Sequence, residues 1–318
     1  MEHLIGCHLP STNLFKSIDE VNSFGGNFMQ IFVTNPMGHI SFENINPTRE
    51  NINPTRGHIN PTRGKSSSEN LKKYKEIGPQ IKKYCENNLS KIVVHSPYIL
   101  NFAKKFNEKS NEIQRLLLEL RIAHEIGAIG CVIHVGKSLD LDINEATLNM
   151  YLSIKYVLSK IREEKLNTIL ILETAAGQGT EMFVTEDNAL DEFANFYHRF
   201  SKDDKKIFKL CVDTCHIFSA GFDISSKKKV RYFFILFDKI IGLEHLALIH
   251  FNDSKTKYNS HVDRHERIGK GSIGLSGLAE FARQAHRFKI PMCLETHGDA
   301  YKNEIPWMLK IFHKMKKT

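Results

Sequence analysis

The sequence predicts a (β/α)8 barrel, a TIM barrel of eight parallel strands ringed by helices. Three observations carry that expectation. Eight short runs rich in Ile, Val and Leu recur along the 318 residues. Most are separated by amphipathic stretches of helical length. Six consecutive runs stop on a histidine or a carboxylate residue. Strands buried on both faces are nearly continuous in apolarity, and their alternation with helices marks βαβ units.

The first two runs are LIGCH (4–8) and MQIFV (29–33). KIVVH (91–95) precedes the amphipathic stretch IQRLLLELRIAHEIG (113–127), and CVIH (131–134) precedes EATLNMYLSIKYVLSKIREE (145–164). TILILE (168–173), KLCVD (209–213) and LALIH (246–250) follow. LSGLAEFARQAHRFK (275–289) then leads into the last run, PMCLE (291–295). The length would permit two domains, but α/β barrels of this size are commonly one unit. One domain over 1–318 is expected, with 41–68 as an inserted, repeat-containing loop.

Composition narrows the class. A hydrophobic content of 41% allows a large core. The sequence has no apolar run of transmembrane length, and MEHLIGCHLPST does not read as a signal peptide. A soluble intracellular protein, cytoplasmic or nuclear, is expected. The basic ending KMKKT reads as a frayed tail, with an aid to nuclear import as the other reading. The six cysteines form no C-x-x-C pair, and Cys7, Cys131, Cys211 and Cys293 lie in apolar runs, as reduced buried thiols do. The formal charge of +8 tilts the partner toward nucleic acid. Nothing demands a second subunit, so a monomer is expected.

The strand ends carry the chemistry. Strands three to eight end in His95, His134, Glu173, Asp213, His250 and Glu295. In a parallel barrel these ends converge on one face, where active sites of this architecture are built. A single polar strand end is commonly a loop histidine or a helix cap; six in succession point to a polynuclear metal site. His216 follows Asp213 by three residues, in the next loop. HVDRHERIGKG (261–271) adds Asp263 and His265, and in an extended segment His261 would point the same way. Five histidines and four carboxylates, with no thiolate among them, suit two or three zinc or manganese ions.

HSPY (95–98), LETAAGQG (172–179), CVDTCHIFSAGFD (211–223), HFNDSK (250–255), HVDRHERIGKGSIG (261–274) and LET (294–296) closely resemble the endonuclease IV family of apurinic/apyrimidinic endonucleases. The resemblance runs from Gly6 to the last helix and is interrupted mainly between about 40 and 68. It implies a barrel holding three zinc ions that cleaves DNA on the 5′ side of an abasic site. The products would be a 3′-hydroxyl and a 5′-deoxyribose phosphate, made by metal-activated water with no protein nucleophile. By the same resemblance, His95, His134 and a bridging Glu173 hold one ion. Glu173, Asp213, His250 and Glu295 hold the second, and His216, Asp263 and His265 the third, while His261 is not a ligand. Glu173 and Glu295 count as catalytic too. Duplex DNA containing abasic sites is the implied partner. Tyr98 and Ile99 fall where the family wedges side chains into the duplex; packing on the barrel rim is the bland alternative. Gln178 matches a DNA-contacting position, with a structural loop role as the other reading. Arg264 is placed to meet a phosphate.

The sequence departs from the family after the second strand. FVTNPMG places Met37 where an arginine usually enters the DNA. Three heptads follow, NINPTRE, NINPTRG and HINPTRG (44–64), each with a proline that excludes a coiled coil. One reading is a passive loop expanded by duplication. The other has Arg49, Arg56 and Arg63 tracking the DNA backbone in place of the missing arginine. On that second reading, deleting 44–64 weakens binding to abasic DNA and flattens its salt dependence. Equal affinity and an equal salt slope would exclude it. The nuclease has two rivals. Xylose-isomerase-like sugar isomerases and epimerases also gather metal ligands at a barrel mouth, but they commonly need fewer. A non-catalytic DNA-binding protein with structural zinc would favour cysteine ligands.

Overall fold

The eight apolar runs become eight parallel strands that close on themselves. The computed structural model describes residues 3–36, 67–88, 90–184, 187 and 190–315. Met37, the three heptads and nearly all of the 41–68 segment lie outside the described residues. The barrel strands are β1 (Ile5–His8), β2 (Phe28–Ile31), β3 (Lys91–His95), β4 (Gly130–His134), β5 (Ile169–Glu173), β6 (Phe208–Asp213) and β7 (Leu246–His250), closed by β10 (Met292–Leu294). Their order is β1-β10-β7-β6-β5-β4-β3-β2, and every pairing is parallel. An antiparallel ribbon of β8 (Asp253–Ser254) and β9 (His265–Glu266) rises after β7.

Helices α1 (Leu14–Ser23), α2 (Ser67–Asn87), α3 (Asn111–Ile126) and α4 (Ile143–Glu163) follow the first four strands. The short α5 (Asp191–His198) and α6 (Asp204–Ile207) follow β5; α7 (Thr214–Ser219) and α8 (Lys227–Ile240) follow β6. Helix α9 (Gly274–Arg287) precedes β10 and α10 (Tyr301–Met315) ends the described chain. The predicted helices at 113–127, 145–164 and 275–289 correspond to α3, α4 and α9. Local signals set their ends. The Ser110 hydroxyl accepts the Ile113 amide before α3, and Gly127 closes that helix in the left-handed region at φ 73°.

Strand periodicity decides what fills the barrel. Phe28, Val93, Val132, Ile171, Cys211, Leu248 and Cys293, one from each of seven strands, form a single buried cluster inside it. Because side chains alternate faces, the residue two positions further along each strand also points inward, one layer nearer the C-terminal mouth. Those residues are Gln30, His95, His134, Glu173, Asp213, His250 and Glu295. On β1 the corresponding pair is Gly6 and His8. A Cβ on Gly6 would lie 1.3 Å from the Phe28 carbonyl oxygen, so only glycine lets β1 approach β2 there.

One charged pair is buried between β2 and α3. Arg115 and Glu119 are fully buried, with Nε and Oε1 3.5 Å apart. The guanidinium donates to Thr34 Oγ1 at 2.9 Å and to the Asn35 carbonyl, and the Thr34 hydroxyl donates to Glu119 at 2.5 Å. The pair therefore fixes the backbone just past β2. Arg115→Met leaves Glu119 without its cation and is expected to cost about 3–5 kcal/mol of stability. Arg115→Met with Glu119→Leu should recover most of that loss in a denaturant titration. A double variant no more stable than the single one would contradict this account.

A candidate metal centre at the barrel mouth

All nine donor residues named from the sequence converge on the C-terminal mouth. Seven of them line a cavity of about 340 Å³ together with His8, Phe32, Tyr98, Thr296 and Tyr301: His95, His134, Glu173, His216, Asp263, His265 and Glu295. Asp213 and His250 are fully buried at its floor. Asp213 ends β6 and also caps α7, its carboxylate accepting the His216 amide at 2.9 Å. The three-residue spacing of Asp213 and His216 is thus one helical turn rather than the loop expected from the sequence.

Glu173 is the hinge of the arrangement. Its Oε2 lies 3.3 Å from His95 Nε2 and 3.3 Å from His134 Nε2. Its Oε1 lies 2.8 Å from His250 Nδ1 and 3.3 Å from His216 Nδ1. One carboxylate therefore presents its two oxygens to different donors. Glu173, Asp213, His250 and Glu295 form one group whose ligand-capable atoms all fall within 4.8 Å of one another, and His216, Asp263 and His265 form another. His95 groups at that range with Glu173 and His250, and its ring packs 5.1 Å from that of His134.

Hydrogen bonds at the far side of three of the rings choose the nitrogen that faces inward. His95 Nδ1 donates to the Ser96 carbonyl at 2.6 Å and His216 Nδ1 to the Thr174 carbonyl at 2.8 Å. His250 Nε2 donates to Gln30 Oε1 at 2.8 Å. This is how a supporting shell orients imidazole ligands. His216 Nε2 and His265 Nε2 approach Asp263 to 3.2 and 3.4 Å, yet both are buried without a hydrogen-bond partner. Nitrogens that face carboxylate oxygens closely but out of hydrogen-bond alignment fit a shared cation, and the all-nitrogen-and-oxygen donor set suits zinc or manganese.

The electrostatics agree. Burial alone would raise the Glu173 carboxyl, but His250 and His134 beside it outweigh that and hold it well below the usual carboxylate range. Burial would likewise lower His216, but Asp213 and Asp263 hold it well above the usual histidine value. His134 goes the other way, lowered to about 4 by desolvation despite Glu173.

Two participants lie outside the nine donors named from the sequence. The fully buried Gln30 donates from Nε2 to Glu295 Oε1 at 2.6 Å, lies 3.1 Å from His8 Nδ1, and accepts from His250. A glutamine inside a strand reads as an ordinary polar residue; only the inward alternation from Phe28 flags it. Asn252 donates to Asp213 Oδ2 at 2.7 Å and accepts the Glu295 amide at 2.8 Å. Gln30→Leu removes a support from two donors at once. It is expected to weaken retention of a divalent metal about tenfold or more, read by competition with a chromogenic chelator. Retention equal to the parent protein's would make those bonds incidental.

The remaining named residues surround the pocket. Tyr98 and Ile99, in the loop after β3, are 51% and 41% exposed, and Tyr98 lines the cavity. Gln178 Oε1 accepts the Asp263 amide at 3.2 Å, and its own amide is held by Glu181 at 2.9 Å. Arg264 is exposed beside Asp263. His261 has left the group: at φ 54° it breaks the extended run, and its ring lies against Gly177. The fully buried Asp253 accepts the amides of Gly269, Gly271 and Ile273 at 3.0 Å each, which ties down the loop that follows Asp263 and His265.

Residues 57–311 match the family model described as the xylose isomerase-like TIM barrel. The "Probable endonuclease 4" of Thermosipho africanus is 34% identical over 313 residues, covering 96% of this chain and 98% of that protein. The chain belongs to the endonuclease IV family. The crystal structure of endonuclease IV from Thermus thermophilus superposes with a TM-score of 0.68 at 19% identity, over 99% of this chain and 100% of that one. A D-tagatose 3-epimerase-like protein superposes with a TM-score of 0.63 at 15% identity, over 98% and 99%. Nuclease-named and epimerase-named structures thus share the fold with this endonuclease IV family member, and the barrel by itself does not choose between them. Among the described residues, no helix is long and apolar enough to cross a membrane.

Proposed function

We propose that the protein is a DNA-repair endonuclease that hydrolyses the phosphodiester bond 5′ to an abasic site in duplex DNA. The products are a 3′-hydroxyl and a 5′-deoxyribose phosphate. Family membership supports the reaction class. The observation that carries the choice over a sugar epimerase is the third donor group, His216, Asp263 and His265, beside the group that contains Glu173. In this reading His95, His134 and Glu173 hold one zinc ion. Glu173, Asp213, His250 and Glu295 hold a second, and His216, Asp263 and His265 a third, with manganese an alternative at one or more positions. Bound divalent ions supply activated water and neutralise charge developing on the phosphate.

The chain's own residues do the rest. Glu173 and Glu295 serve as catalytic carboxylates, and the neighbouring imidazoles hold both below the usual carboxylate range. Tyr98 and Ile99 wedge into the duplex at the gap, where unstacking costs least because a base is already missing. Arg264 meets a backbone phosphate. Gln178 faces the DNA while holding the Asp263 amide. The unit of action is a monomeric barrel domain over 1–318 with 41–68 as its insertion, working wherever the DNA is, in cytoplasm or nucleus.

The test is incision of a labelled duplex bearing one abasic-site analogue, with Glu295→Gln as comparison. Chelator-sensitive cleavage 5′ to the lesion, lost in Glu295→Gln, is the expected result. Intact DNA after incubation with zinc-loaded protein would reject the reading and direct attention to sugar-phosphate substrates.

A further inference from the structure

We propose that Cys215, with Asp213 and His265, forms a capture site for thiophilic cations such as cadmium within the same centre. The ligand-capable atoms of these three residues lie within 4.8 Å of one another. Cys215 sits in α7 between Asp213 and His216 and is fully buried. Its present bonds are weak ones: Sγ lies 3.5 Å from the Arg264 carbonyl and 3.9 Å from Ser219 Oγ. His265 Nε2 is buried without a hydrogen-bond partner and lies 3.5 Å from Asp213 Oδ2, so imidazole and carboxylate already face each other beside the sulfur. All six cysteines are buried and free, and among the described residues Cys215 is the one thiol within such a group.

Ligand softness gives the site its selectivity. Zinc and manganese are satisfied by the nitrogen and oxygen donors His216, Asp263 and His265, whereas a soft cation gains from exchanging harder donors for sulfur. As the sulfur–cadmium bond forms, the thiol proton leaves to solvent, so the site takes up a divalent ion and releases one proton. Occupation diverts His265 and Asp213 from the groups they otherwise complete. Soft-metal poisoning thereby becomes a built-in property of the donor set. The inference deepens the metal reading of this centre, but its sulfur signature can be read without DNA.

The experiment titrates the zinc-loaded protein with cadmium chloride and follows thiolate-to-cadmium charge-transfer absorption, zinc release and incision of the abasic duplex. One charge-transfer equivalent per chain, absent in Cys215→Ser and retained in Cys211→Ser and Cys293→Ser, is expected. Half-inhibition in Cys215→Ser, measured against its own uninhibited rate, should need about tenfold more cadmium, the scale on which groups around a metal tune affinity. An undiminished band in Cys215→Ser would overturn the proposal. Should Cys215→Ser not fold, cadmium NMR of the parent protein decides: a resonance in the thiolate-ligated region supports the site, and one in the nitrogen-and-oxygen region overturns it. A sulfur-ligated cadmium signal in a protein that leaves abasic DNA uncut would uphold this site while rejecting the nuclease reading.

Discussion

Glu173→Gln is expected to lower incision of abasic DNA by roughly a thousandfold, on the ~4 kcal/mol scale of the transition-state charge stabilisation that metals provide. The substitution keeps the shape of the side chain and removes its charge. In the parent protein Oε2 faces His95 and His134 while Oε1 faces His250 and His216, all within 3.3 Å. An amide offers one oxygen and turns an NH2 toward whichever donors remain, so the link between the groups is broken at its centre. Zinc per chain should fall in parallel, as measured by metal analysis of the purified variant. Activity within tenfold of the parent, with full zinc content, would show that Glu173 does not bridge.

Stripping the metals should abolish incision and lower the melting temperature, and both effects should depend on pH in a defined direction. In the ion-free protein His216 and His250 are held well above the usual histidine value. Burial opposes this in both, outweighed at His216 by Asp213 and Asp263 and at His250 by Cys211 and Glu173. A metal ion must displace those protons, so zinc affinity rises with pH through and above the ordinary histidine range. The linkage for the stripped protein has the opposite sign. A raised histidine contributes stability that is fully present below its unfolded value and is lost as pH rises through its folded value. The lowered carboxyls of Glu173 and Asp263 contribute stability above their unfolded values and lose it as pH falls through the folded ones. The gap in melting temperature between loaded and stripped protein should therefore widen as pH rises. Each site held at a hundred times its Kd adds about 2.7 kcal/mol to the loaded form. A gap that narrows with rising pH would mean that these histidines are not the displaced groups.

The cadmium site and the nuclease reading draw on the same few side chains for different reasons. Six of the nine donors alternate inward at the strand ends, whereas His216 and Cys215 come from α7 and Asp263 and His265 from the loop after β7. Arg115 and Glu119 act comparably at the other side of the mouth, since the buried pair holds Thr34 and Asn35 in the segment after β2.

Much of this protein is determined by local sequence. Continuous apolar runs and amphipathic stretches specify eight strands and their helices, because burial on both faces or along one stripe leaves a periodic trace. Alternation specifies which residues enter the barrel, and it turns His95, His134, Glu173, Asp213, His250 and Glu295 inward, each two positions beyond Val93, Val132, Ile171, Cys211, Leu248 and Cys293 on its own strand. The turn of helix after Asp213 brings in His216. The tertiary structure alone decided how the layer is wired. Gln30 meets Glu295 across 265 positions of sequence, a contact that no local pattern encodes. His261 leaves the donor group through one left-handed backbone angle, Gln178 is turned toward the Asp263 amide, and Cys215 lies beside His265 only after the loop folds over α7. Periodicity reports which way a side chain points. The partner it meets depends on closure of the barrel and on the path of its loops, which bring together residues far apart in the chain.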